Sequence, residues 1–107
     1  MNDKLRYYSG CVKFPNVSGI EHLDMLFVRD DLEAQIDSLS QAEQEQLAEA
    51  DRRLITQAAA FHRELLRFTS MEYQRELRKV PPSHWWWYLD VLSYLPQFAT
   101  KDEMIRV

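Results

Sequence analysis

SQAEQEQLAEADRRLITQAAAFHRELLRF, residues 40–68, is helical by every local criterion. Ser40 and Glu43 form a capping box, in which hydroxyl and carboxylate each satisfy the other residue's backbone amide. Leu47, Ala50, Leu54, Ala58, Phe61, Leu65 and Phe68 recur at spacings of three and four, which places them on one face. Neither glycine nor proline interrupts the run, and the alanines at 58, 59 and 60 leave room for a neighbouring helix. Beyond Phe68 the stripe slips sideways to Thr69, Tyr73, Leu77 and Val80, and Thr69 with Glu72 offers a second start. The pattern over 41–79 therefore fits one helix or two. Unbroken, it would extend on the order of 60 Å at about 1.5 Å per residue, too long for short companions to cover, and would favour a dimer.

Upstream, Ser18 and Glu21 repeat the capping arrangement. Leu23, Leu26 and Phe27 share one face, while Met25, Val28, Leu32, Ile36 and Leu39 form a second run. These overlapping stripes predict helix over most of residues 19–38, either well buried or broken near Arg29-Asp30, where Asp30 and Glu33 would restart it. Residues 1–17 show no evident helical period. Leu5, Tyr7, Tyr8, Val12 and Phe14 suit a short strand or an extended arm, with Ser9-Gly10 as a turn and Pro15-Asn16 as its end. A lone pair of strands is marginal in water, so the arm is expected to lay its aromatics across the helices of its own or another subunit.

Downstream lies PPSHWWWYLDVLSYLP, residues 81–96, dense in rings and bracketed by prolines. Ser83 suits an N-cap, and Pro96 ends the segment by removing an amide and crowding the preceding turn. On an α-helix at about 100° per residue, Trp85, Tyr88, Leu89, Leu92 and Leu95 share the natural core face. Trp87, Val91 and Tyr94 then point the other way, with Trp86 on a flank beside Asp90 and Ser93. Two readings compete: a small domain wraps the helix on both sides, or Trp86, Trp87, Val91 and Tyr94 form a protein-interaction or self-association face. Tryptophan and tyrosine are enriched at interface hot spots because they bury large area at little rotamer cost.

The chain has 107 residues, so one domain is expected, and two glycines argue against a turn-rich β architecture. A single cysteine rules out an internal disulfide and a cysteine-based zinc cluster within one chain. The opening MNDKLRYYSG has no basic stretch followed by an apolar one, and no run approaches the roughly 18 apolar residues of a spanning helix. A cytoplasmic protein without a transmembrane segment is the expectation. Net charge is −4 but unevenly spread. Residues 18–51 hold ten acids against Arg29 alone, a balance of −9, whereas residues 52–79 hold seven bases against three acids, a balance of +4. Helices of opposite sign can attract within the fold or across a dimer, or the basic stretch can serve an anionic partner.

Motifs that carry chemistry are scarce. His22, His62 and His84 lack the spacings of three or four that put two metal ligands on one helix face, so a metal site would need distant partners such as His22, His62 and Glu64. Cys11 has no neighbouring base to activate it beyond Lys13. Gly10 and Gly19 stand alone, without a phosphate-binding loop. Arg63, Arg67, Arg75, Arg78 and Lys79 lead into the tryptophans, the ingredients of a single-strand binder, but the acidic total and interleaved Glu64, Glu72 and Glu76 oppose that reading. Membrane-surface binding uses similar ingredients, and Asp90 in the aromatic segment counts against it.

The sequence thus predicts an all-α bundle of three to five helices in one domain. Its parts are an irregular or short extended N-terminal arm (1–17), a first helical segment (18–39), a long or broken helix (40–80), an aromatic helix (83–95) and a tail (96–107). The expected role is a noncatalytic protein-interaction module (an adaptor, regulator or assembly factor), with a homodimer as one expected form, acting through Trp86, Trp87, Val91 and Tyr94. The alternative is a small nucleic-acid-associated regulator using Arg75, Arg78 and Lys79. No cofactor or small-molecule ligand is expected.

Overall fold

The structure, a computed structural model, describes residues 2–95. Six α-helices build it: α1 Asp3–Cys11, α2 Gly19–Ala34, α3 Gln41–Thr56, α4 Ala58–Leu66, α5 Met71–Arg78 and α6 Leu89–Leu92. Short 3-10 turns occupy Ile36–Ser38 and Trp85–Tyr88, and no strand occurs among the described residues. The class is all-α, but the expected three to five helices are six. The tail from 96 onward, including the turn expected from Thr100 and Glu103, lies outside the described residues.

The N-terminal arm accounts for part of that difference. It is neither irregular nor extended but helical. Asn2 caps α1, its Oδ1 accepting the amides of Lys4 and Leu5 at 2.8 and 3.2 Å. Leu5, Tyr8 and Val12, at spacings of three and four, are all buried against the core. Ser9-Gly10 continues this helix instead of turning the chain.

The long pattern over 41–79 accounts for the rest, because it splits into three helices. The Ser40 capping box is formed, with Ser40 Oγ accepting the Glu43 amide at 3.1 Å and Glu43 Oε1 accepting the Ser40 amide at 2.9 Å. Yet α3 ends at Thr56 without glycine or proline. Thr56 Oγ1 donates to the Arg52 carbonyl at 2.7 Å, a back-bond that bends helices, and Gln57 leaves helical geometry at φ −111° and ψ 24°. The bend lets α3 pack on α1 while α4 packs on α2 and α6. The next start is Ser70, one residue beyond Thr69, with Ser70 Oγ accepting the Tyr73 amide at 2.9 Å. Divided this way, the described residues extend no more than 39 Å, which removes the argument for a dimer drawn from an unbroken helix.

Helix α2 runs through Arg29-Asp30 without a break, and Ser18 Oγ accepts the Glu21 amide at 3.4 Å as its spacing predicts. Its first turn lies hard against α4. A Cβ on Gly19 would sit 2.5 Å from the Glu64 carbonyl oxygen, so the crossing requires glycine. Met25, Leu26 and Leu32 of α2 meet Leu54, Phe61 and Leu65 of α3 and α4 in one core.

Candidate interaction surface

The aromatic segment is not the α-helix expected over 83–95. Trp85–Tyr88 is a 3-10 turn without a side-chain cap, so Ser83 does not act as one, and α6 adds four residues. With about three residues per turn, Trp86 and Leu89 share one side and Trp85 and Tyr88 another. The side of Trp86 and Leu89 is buried, and Trp87, on the third side, is enclosed as well. Trp86 and Trp87 are 1% and 0% exposed, Leu89 is fully buried, and Trp85 and Tyr88 are half-buried. Among the four residues expected at an interaction face, Trp86 and Trp87 therefore belong to the interior. Val91 and Tyr94 reach solvent, Tyr94 at 80% exposure.

Two adjacent residues of α2 hold the tryptophans. Asp30 Oδ1 accepts both indole Nε1–H groups, from Trp86 at 2.7 Å and Trp87 at 2.8 Å. His84 stacks on Trp86 with 4.6 Å between ring centroids, and its Nδ1 lies 3.4 Å from the same Asp30 oxygen. The Arg29 guanidinium lies 4.0 Å over the Trp86 ring, a favourable cation–π placement. It also donates twice to the Asp51 carboxylate and once to Glu33, each at 3.0 Å. Burial opposes the Arg29 charge, but the Asp51 pair outweighs it and raises the pKa. Tyr8 donates its hydroxyl to Asp51 at 2.6 Å, and burial together with that carboxylate pushes the phenol's pKa up.

The residues offered to an anionic partner separate. Arg75 donates to both oxygens of Asp90 at 2.7 and 3.1 Å and to the Trp87 carbonyl at 3.0 Å, with its guanidinium 4.5 Å over Tyr88. Burial would raise the Asp90 pKa, yet the Arg75 hydrogen bonds and charge bring it below the usual carboxylate value. Arg78 stacks on Phe27 at 4.0 Å and Trp87 at 5.6 Å and donates to Gln74 Oε1 at 2.9 Å. Lys79 is exposed and closes α5 in the left-handed region at φ 52° and ψ 51°. Arg75 is thus half-buried in an ion pair, and Arg78, though exposed, is laid along the Phe27 and Trp87 rings.

These contacts roll α5 over relative to its expected orientation. Its cations lie on aromatic rings and Gln74 is buried, whereas Tyr73 and Leu77, read as inward-facing, are 57% and 59% exposed. Their exposure had one local signal. A start at Ser70 in place of Thr69 aligns Met71, Gln74 and Arg78 at spacings of three and four, beside a ring-rich neighbour that suits a guanidinium. Among the described residues, six of the ten exposed large apolar side chains fall between 66 and 94: Leu66, Phe68, Tyr73, Leu77, Val91 and Tyr94.

Among the described residues, no group of three or more His, Cys, Asp or Glu side chains is placed to hold a metal ion. His22 is buried, its Nε2 donating to the Pro15 carbonyl at 2.9 Å and its ring edge-on to Phe61 at 4.5 Å, and burial lowers its pKa. Burial pushes the Cys11 thiol up, away from the thiolate a nucleophile needs. No described helix is long and apolar enough to cross a membrane. Compared with protein-family models, with curated proteins and with solved structures, the chain matches none.

Proposed function

We propose that this protein is a noncatalytic protein-interaction module, an adaptor, regulator or assembly factor, that binds its partner through the exposed apolar side chains of α5 and α6. The observation that carries this reading is the orientation of α5. Full burial of a large apolar side chain is worth about 1.5–3 kcal/mol, yet Tyr73 and Leu77 face outward while Gln74 is buried and Arg75 is half-buried against Asp90. Val91 on α6 and Tyr94 just beyond it add a second exposed apolar pair. Aromatic anchors of this kind dominate binding energy at protein interfaces. A nucleic-acid interface is the weaker reading, because Arg75 and Arg78 would have to leave Asp90, Phe27 and Trp87 to reach phosphates.

A photo-crosslinking residue at position 77 or 94, in native extract, tests the proposal together with solution mass. We expect a defined protein adduct that disappears when Tyr73→Ser and Leu77→Ser are introduced. The thermal midpoint should stay close to wild type, since both side chains are exposed. Absence of any adduct, or an adduct indifferent to those substitutions, overturns it.

A further inference from the structure

The α1–α2 turn carries a second apolar surface, independent of α5 and α6. Tyr7, Phe14, Val17 and Ile20 are exposed there. Tyr7, Cys11, Phe14 and Val17, with Gly10 between them in sequence, wall an open groove of about 400 Å³. That lies within the roughly 300–1,000 Å³ of pockets that hold organic groups.

Gly10 is the informative residue. It sits inside α1 with no positive φ, and a Cβ added to it would meet nothing within 4 Å. Gly19, by contrast, is demanded by a backbone crossing at 2.5 Å. Neither turn geometry nor packing calls for glycine at position 10, although glycine costs a helix about 0.5–1 kcal/mol relative to alanine. What the missing side chain does is leave the groove open on the α1 side.

The electrostatic setting narrows the occupant. Glu21 lines the groove. Partial burial, a hydrogen bond with Cys11 and the charges of Asp24 and Glu21 push the Tyr7 phenol up to about 12. The same two carboxylates also act on the Cys11 thiol, after burial and its bond with Tyr7. Arg6, the one cation lining the groove, is drawn toward Asp3 at 3.8 Å. An occupant therefore needs an apolar body to fill the walls and a positive charge to meet Glu21, the lining carboxylate, in a setting that the charge of Asp24 also makes negative. We propose that this groove docks a peptide segment of a partner protein that presents a large apolar side chain next to a lysine or arginine.

Panning a library of displayed short random peptides on the full chain tests this, with Gly10→Leu and Glu21→Gln as comparison proteins. Gly10→Leu builds into the groove from a helical position where its Cβ meets nothing within 4 Å and removes the cost of glycine in a helix, so it should melt at or above the wild-type temperature. Wild type should enrich peptides with Phe, Trp, Leu or Met beside Lys or Arg. Synthetic copies should bind Gly10→Leu roughly tenfold or more weakly, which is about 1.4 kcal/mol, and should weaken against Glu21→Gln and with added salt. Their amide shift changes on wild type should centre on Gly10, Cys11 and Val17, a readout that does not depend on any variant folding. Failure to enrich, acidic or uncharged winners, equal binding to Gly10→Leu, or shifts centred elsewhere each overturns the proposal. So does a wild-type dimer that Gly10→Leu dissolves, since a second copy would then be the occupant. None of these outcomes bears on the α5–α6 surface.

Discussion

Two indole N–H groups converging on one carboxylate oxygen make Asp30 a sensitive point of the interior. A buried donor left without a partner costs about 1–3 kcal/mol. Asp30→Ala is therefore expected to lower stability by about 2–4 kcal/mol, and Asp30→Asn by less, because the amide keeps an acceptor oxygen. Denaturant unfolding followed by tryptophan fluorescence checks both, and a loss below about 1 kcal/mol for the alanine variant would show that the indoles do not depend on this acceptor. His22 governs a pH effect. Burial holds its pKa below the ordinary value of 6.5, so on acidification the unfolded chain takes up a proton before the native state does. The unfolded state then binds more protons, and stability falls as pH drops. The contribution is complete above about pH 6.5 and is lost toward the lower native pKa. His22→Gln, which retains an N–H donor for the Pro15 carbonyl without titrating in this range, should flatten the stability profile between about pH 7 and 5. An unchanged slope there would remove His22 from the acid response.

At the scale of the element, what could be read from sequence was what is locally encoded. Helix α3 announced itself because Ser40, Glu43 and the Leu47–Ala50–Leu54 spacing lie within a few turns of one another. Its end at Gln57 did not, since Thr56 is as compatible with continuing the helix as with bending it until α1 and α2 pull the two halves apart. In α1 the Leu5–Tyr8–Val12 spacing was present but masked by Tyr7 and by a glycine that reads as a turn. The aromatic segment failed for a different reason. Trp87, opposite the core face on an α-helix, is instead enclosed, and its indole donates to Asp30, more than fifty residues away in sequence. Hence Val91 and Tyr94 were legible as surface residues, whereas Tyr73 and Leu77 had only the Ser70 start to mark them, because the arginines of α5 find their rings only after the chain has folded. The α2–α4 crossing yields the test at this scale. Gly19→Ala places a Cβ against the Glu64 backbone, and such overpacking costs about 1–3 kcal/mol. Faster amide exchange should appear first in the opening turn of α2 and in α4. Equal exchange in both proteins would mean the crossing relaxes freely.

Across the whole molecule, the division between an acidic and a basic half does not work as attraction between helices. Among the described residues, ion pairs joining the stretches 18–51 and 52–79 are confined to Glu49 with Arg52 and Arg53, all within α3. The acidic stretch is gathered instead around its one base. Arg29 of α2 reaches Glu33 in its own helix, Asp51 of α3 and the Trp86 ring, and it lies 6.0 Å from the centre of the Tyr8 ring of α1. Four parts of the fold thus meet at one guanidinium. Removing it in Arg29→Ala leaves Asp51 with only the Tyr8 hydroxyl as a partner in an enclosed setting, and breaking a buried pair from one side costs about 3–5 kcal/mol. Arg29→Lys keeps the charge but not the planar fork that serves two carboxylates and a ring together, so it should recover part of the loss and no more. If Arg29 joins the aromatic turn to the α1–α2–α3 core, tryptophan fluorescence and far-ultraviolet circular dichroism will unfold together in the wild type. In Arg29→Ala they will separate, fluorescence changing at lower denaturant. Coincident transitions in the variant, or a lysine substitution as damaging as alanine, would restrict Arg29 to a local ion pair.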